Sequence, residues 1–174
     1  ERRIVTELGE LNMPSVRFAV EFVPVDNEQG FDASGADKIR FIMSANAGEE
    51  LGRISKIASG GELSRIMLAM KNVFAENDPV GTMVFDEIDT GISGKTSEKI
   101  GIKLKQLASH GSQVICVTHS AQIAALADTH LRVSKTQSED RTYTQLTVLD
   151  NEGRINEVAR IMGGISLTDS VLAA

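Results

Sequence analysis

The chain has 174 residues, an ordinary apolar content of 41% and a formal net charge of −6. That length suits one domain with a proper core. The negative balance excludes a binder that grips nucleic acid with its whole surface, since such affinity rests on neutralising phosphates. It leaves room for a local basic patch, or for DNA binding by a part of the protein outside this chain. No apolar run approaches the roughly 20 residues needed to span a bilayer. The start, Glu1-Arg2-Arg3-Ile4, lacks the apolar block of a signal peptide. Cys116 is the only cysteine, so no internal disulfide can form, and its flanks Val114, Ile115 and Val117 suggest a buried strand position. A cytoplasmic protein with no membrane partner is the reading that follows. The chain begins without an initiator Met and in mid-pattern, as a piece of a longer protein would.

Residues 1–13 read as the tail of a helix, with Ile4, Val5, Leu8 and Leu11 on one face and Pro14 as its stop. Val16, Phe18, Val20, Phe22 and Pro24 alternate with their neighbours and predict a strand. Residues 26–35 are turn-rich. Residues 38–45 predict a second strand, with Ile39, Phe41 and Met43 on one face, and the two strands predict a hairpin. Residues 46–52 read as a loop leading to Ser59-Gly60-Gly61-Glu62. There Leu63, Ile66, Met67, Met70, Val73 and Phe74 recur at helical spacing, predicting a helix to about Asn77. Residues 80–85 are a short apolar run of the kind buried on both faces in a parallel sheet. Residues 91–93 turn the chain. Residues 94–109 predict a helix with Ile100, Leu104 and Leu107 inward, and residues 113–118 another apolar strand. A short helix over 120–127, strands over 131–135 and 142–149, a helix over 154–163 and a helical stretch to Ala174 complete the chain. Strand, helix, strand, helix implies a parallel sheet with right-handed crossovers.

Three short motifs carry chemistry. Ser59-Gly60-Gly61-Glu62 opens a helix, whose first-turn N–H groups have no partner inside it and suit an anion. The plainer reading is a capping box, Ser59 with Glu62. Asp86-Glu87 closes an apolar strand, the end where open α/β sheets bind ligands. Asp86 there could hold Mg²⁺ through water, and Glu87 could orient and deprotonate an attacking water. The plainer reading is two solvated acids. Thr118-His119-Ser120 closes the next strand, which puts His119 on the same sheet edge, able to donate to a phosphate oxygen. The plainer reading has Ser120 capping the following helix and His119 incidental, as His110 and His130 are. No Cys/His cluster has zinc-ligand spacing. Ser93-Gly94-Lys95-Thr96 imitates the end of a phosphate-binding P-loop. The first glycine of that motif would fall at Asp89, so the stretch reads as the opening of a helix.

In this order and at these separations, the motifs resemble the C-terminal half of an ABC-class ATPase head. Ser59 to Glu62 resembles the ABC signature, Thr82 to Asp86 the Walker B strand with Glu87 as catalytic glutamate, Ile88 to Gly91 the D-loop, and His119 the switch histidine. Ile57 to Arg65, Phe85 to Gly94 and Val117 to Gln122 look more closely like the RecN family of bacterial DNA-repair proteins, relatives of the SMC proteins. The likeness reaches the Gly163-Gly164 region and covers nearly the whole chain. Glu62 stands where transporters usually have Gln, and Ala58 replaces their leading Leu, so the transporter half is the weaker alternative.

The resemblance implies an α/β, P-loop NTPase-like C-terminal lobe, its sheet largely parallel and flanked by helices, with an N-terminal β-hairpin. It implies that residues 1–13 end a coiled-coil helix and residues 14–174 form the lobe. It implies ATP and Mg²⁺ held on an N-terminal P-loop lobe missing from this chain, Asp86 helping with the metal, and Glu87 and His119 acting in the same head. Ser59, Gly60, Gly61 and Glu62 would face the γ-phosphate of a second head, and Asp89 would link the two sites. The partners implied are that lobe, a second copy of the head in an ATP-sandwiched homodimer, and DNA, near the nucleoid, in double-strand break repair by recombination. Without a P-loop the isolated chain would be inactive, a dimerisation module at most. Arg53, Lys56, Arg65 and Lys71 are candidates for DNA contact.

Overall fold

The computed structural model describes residues 1–46, 48–54, 59–92, 94–138 and 141–163. Ala47, Ser55 to Ala58, Ser93 and the expected helical stretch beyond Gly163 lie outside the described residues. So do Lys56 and the Ile57-Ala58 part of the signature stretch.

Helix α1 (Arg2–Glu10) turns Ile4 and Leu8 inward, and Leu11 follows them into the core. It ends before Pro14. Asn12 adopts the left-handed conformation (φ 66°), and the Met13 N–H donates to the Leu8 carbonyl. That six-to-one bond is the Schellman way of ending a helix, so Asn12 stops it and Pro14 only follows.

Strands β1 (Arg17–Pro24) and β2 (Asp37–Ser44) form the expected antiparallel hairpin, Arg17 opposite Ser44 and Pro24 opposite Asp37. Strand β3 (Gly52–Arg53) adds to β2 at Ile42 and Met43, in a stretch that reads as loop from sequence. Two residues are too few to establish a period of two. Phe18 and Met43, paired across the hairpin, are buried, whereas the pair Phe22 and Ile39 at its far end is exposed.

Helix α2 (Gly60–Phe74) continues as a 3-10 turn over Ala75–Asn77, which matches the expected end. Its buried face takes in only part of the apolar stripe, Met70 and Val73 packing against the core beside Ile66. Ile66 is buried, but Leu63, Met67 and Phe74 are exposed, and the inward face runs through Gly61, Arg65, Leu68 and Ala69. The reason is a close approach to the turn after the acid pair, which admits only small residues and one cation that can donate.

Strands β4 (Thr82–Phe85) and β5 (Gln113–Cys116) are parallel and joined through helix α3 (Lys95–Ala108). Gly94-Lys95-Thr96 does open that helix, with Gly94 at φ 54° before it. Helix α4 (Ala121–Leu126), strands β6 (Leu131–Ser138) and β7 (Arg141–Val148) and helix α5 (Asn151–Gly163) follow. Among the described residues, parallel pairing is confined to β4 and β5; the β1–β2–β3 and β6–β7 sheets are antiparallel. The parallel sheet is therefore narrower than expected, because hairpins join most neighbouring strands. Nor is β4 buried on both faces: Met83 and Phe85 point inward while Val84 is 66% exposed, and Ile115 and Val117 are exposed beside it.

One core cluster joins α1, the hairpin, α2, β4 and α3 through Leu8, Leu11, Phe18, Met43, Ile66, Leu68, Phe85, Ile100 and Leu104. Lys103 on α3 also reaches Glu7 and Glu10 on α1, each at 2.8 Å. Burial works against its charge, but the hydrogen bonds to Glu10 and Glu7 win and raise its pKa.

Candidate functional site

Ser59 caps α2. Its hydroxyl accepts from the Glu62 N–H (3.4 Å), and the Ser59 N–H donates to the Glu62 carboxylate (2.9 Å). That is the reciprocal capping box expected from the spacing. The backbone and hydroxyl bonds from Ser59 hold the Glu62 carboxyl below the usual carboxylate range. Glu62 is thus turned back on its own helix end, while Ser59 and Gly60 are exposed beside it.

The turn after β4 comes up against this end of α2. Glu87 has φ 57°, an uncommon conformation for a residue with a side chain. Its N–H donates to Asp86 Oδ1 at 2.9 Å, and its carbonyl accepts from the Thr90 N–H at 3.0 Å. A Cβ on Gly60 would lie 2.6 Å from Glu87 Oε2. One on Gly61 would lie 2.8 Å from the Glu87 carbonyl oxygen and 3.2 Å from Thr90 Cβ. Gly61 is therefore required by packing against backbone within this chain, before any ligand is considered, whereas at Gly60 the neighbour is the movable end of a side chain. Ser64 donates from its hydroxyl to the Asp86 carbonyl (2.7 Å), and Arg65 donates from Nη1 to the Ile88 and Thr90 carbonyls (3.2 Å each). Arg65 is only 7% exposed, which removes it from the candidates for DNA contact. Lys71 is held by Asp78 at 2.6 Å, while Arg53 is exposed on β3.

Asp89 is the centre of the cluster. It is 2% exposed, and its Oδ2 accepts from the Thr118 hydroxyl (2.5 Å), the His119 N–H (3.0 Å) and the Ser120 N–H (3.1 Å). His119 Nδ1 lies 3.3 Å from the same oxygen, yet the ring is 79% exposed and reachable. Ser120 stands at the N-cap position of α4, as expected, with its carbonyl accepting from the Ala124 N–H, but its hydroxyl donates to Gln122 and makes no cap bond. The register of β4 against β5 brings these groups together, since Phe85 opposite Cys116 places both strand ends at one edge. Asp86 and Glu87 are exposed on that edge. A cleft of about 350 Å³ opens beside His119, lined by Asp89, Gly94, Ser97, Gln122 and Met162 among others.

The edge is negative. The half-buried Cys116 thiol is pushed up to about 12, first by burial and then by the charges of Asp89 and Asp86. A phosphate would be accepted here only with a cation. Asp86 keeps one oxygen free of its bond to the Glu87 N–H. No group of three or more His, Cys, Asp or Glu among the described residues could hold a metal unaided. The free oxygen of Asp86 is the kind of donor that Mg²⁺ takes, with one or two carboxylates and the rest of its shell from water and phosphate.

Sequence reasoning singles out Ser59, Gly60, Gly61, Glu62, Asp86, Glu87, Asp89 and His119, and the structure places all of them at the β4–β5 edge or the adjoining end of α2. It missed Ser64, Arg65 and Thr118 as the groups that hold this cluster. The one visible signal for Ser64 and Arg65 is polarity within an apolar helical pattern, and for Thr118 a hydroxyl at the end of an apolar strand. The packing predicts an asymmetry between the glycines. Gly60→Ala meets only the movable end of Glu87 and should leave stability nearly unchanged. Gly61→Ala meets backbone and should cost about 1–3 kcal/mol. Urea unfolding of the two variants checks this; equal losses would contradict it.

No family model matches the chain. It is 44% identical over 174 residues to the DNA repair protein RecN of Treponema pallidum, covering 98% of this chain and 30% of that protein. It is 40% identical over 164 residues to RecN of Halalkalibacterium halodurans, covering 94% and 29%. RecN of Bacillus subtilis gives 40% over 175 residues, 94% and 30%. The chain thus spans about 30% of the length of the curated relatives it matches. The Smc head domain of Pyrococcus yayanosii superposes with a TM-score of 0.60 at 20% identity, over 92% of this chain and 28% of that one. A chain solved for the structural biochemistry of ATP-driven dimerization and DNA stimulated activation of SMC ATPases gives 0.52 at 22% identity, over 92% and 89%. At such identities these two speak for the fold alone, that of an Smc head domain. At about 40% identity over nearly its whole length, the chain belongs to the RecN family and matches the C-terminal part of its members.

Proposed function

We propose that the chain is the C-terminal lobe of an SMC-like ATPase head that hydrolyses ATP between two heads and acts on DNA in double-strand break repair. The observation that carries this reading is the meeting of Asp86, Glu87 and His119 at one strand edge, bonded through Asp89 and Arg65 to the free end of α2. Residues 14–174 are the lobe in this reading, and residues 1–13 are the end of a coiled-coil helix. Burial of Leu8 and Leu11 supports a coil end seated in the head.

ATP binds on the N-terminal P-loop lobe of the same protein. Two surfaces here suit that lobe. Val84, Ile115 and Val117 leave one side of the parallel pair uncovered. On the β6–β7 hairpin, the cross-strand pairs Leu131 with Val148 and Val133 with Leu146 form an exposed apolar face. Contiguous apolar surface of this kind marks an interaction site. Asp86 would hold Mg²⁺ through water, and the ion when bound would neutralise phosphate charge. Glu87 accepts the proton of the attacking water, and His119 donates to the γ-phosphate. Ser59, Gly60 and Gly61 offer hydroxyl and N–H donors to the γ-phosphate of the second head, where charge develops. Glu62 holds Ser59 in place, and Asp89 links the two sites from inside the lobe. The phosphate charge joins the heads and hydrolysis releases them. The site of action is the cytoplasm, at the nucleoid. No helix among the described residues is long and apolar enough to cross a membrane.

In a longer protein carrying the P-loop lobe, Glu87→Gln should lower ATP turnover at least about a hundredfold and accumulate ATP-bound dimers in sedimentation. Unchanged turnover would remove Glu87 from the role of base. Ser59→Arg should leave nucleotide binding intact and abolish ATP-dependent dimerisation; dimers at the wild-type level would refute the contact with the second head.

A further inference from the structure

Arg65 is a buried cation near the Glu62 carboxylate, but among the described residues its hydrogen bonds go to carbonyls and its buried Nε has no acceptor. Burying a charge is costly unless hydrogen-bond partners replace water, so the contacts it does make matter. They fall on alternate carbonyls: Ser64 takes that of Asp86, and Arg65 those of Ile88 and Thr90. Between the last two stands Asp89, whose carboxylate points the other way and accepts from Thr118, His119 and Ser120. The turn is therefore gripped on one side by α2 and on the other by the loop after β5. Gly61 closes the grip, because it leaves no slack against the Glu87 carbonyl.

We infer that Arg65 is a positioning residue that fixes Glu87 and His119 by clamping the Asp86–Thr90 turn to α2. A shift of the Ser59–Gly61 end is thereby carried to His119 through the turn and Asp89. This rests on the proposed roles of Glu87 and His119, but the mechanical link can be read without nucleotide.

The test is backbone amide hydrogen exchange on this chain. The His119 and Ser120 amides both donate to Asp89, so they report the far end of the link. In Arg65→Gln these two amides should exchange about tenfold faster, the worth of one hydrogen bond, while the β6–β7 amides keep their rates. Arg65→Lys keeps a cation that can reach one carbonyl and should restore protection in part. Unchanged exchange at His119 and Ser120 in Arg65→Gln would overturn the link. So would an equal rise at every amide, which is loss of global stability alone. In the longer protein the same variant should lower kcat and leave KM for ATP unchanged. Faster exchange with wild-type turnover would preserve the link and count against the catalytic roles of Glu87 and His119.

Discussion

A single buried carboxylate organises this lobe. Asp89 has given up water, which is costly for an ionised group unless donors replace it. The hydroxyl of Thr118 and the N–H groups of His119 and Ser120 replace it at one oxygen. Hydrogen bonds to a charged acceptor are worth about 1.5–3 kcal/mol each, well above neutral ones. The loops that follow β4 and β5 are therefore fixed to each other more firmly than strands four residues long could manage alone. The exposed groups at the edge, Asp86, Glu87 and His119, inherit their positions from this buried one.

Gly61 has two explanations that turn out to be one requirement. A phosphate needs open backbone at a helix end, and so does the Glu87 turn that already lies against it. In this conformation the Glu87 carboxylate rests over Gly60, and its backbone is held in a left-handed conformation that costs energy. Strain of this sort persists only where the surroundings over-determine it, and here Ser64, Arg65 and the Asp86 carboxylate do so.

Much of this was legible from residue order. The hairpin, the capping box, the helix starting at Gly94-Lys95-Thr96 and the shared edge of Asp86 and His119 all rest on local spacing, and local spacing survives folding. What failed was read from apolarity. Leu63, Met67 and Phe74 look like an inward stripe, yet the fold turns Arg65 and Gly61 inward instead. Tertiary hydrogen bonds to the Asp86–Thr90 carbonyls outweighed the apolar pattern, and nothing within the helix announces carbonyls more than 20 residues away. Val84 was expected inside a parallel sheet and lies outside, because a period of burial says nothing of which neighbours are present. Strand β3 escaped notice for want of length, and Ser120 does stand at the N-cap of α4, although its hydroxyl bonds Gln122 and its N–H bonds Asp89.

The central claim is that the Asp89 carboxylate, and not packing, holds the two strand ends together. A double-mutant cycle on Asp89→Asn and Thr118→Val, followed by urea unfolding, isolates that contact. The account predicts non-additive losses, with a coupling of about 1.5 kcal/mol or more, as befits a hydroxyl bonded to a buried charge. Additive losses, with coupling near zero, would contradict it.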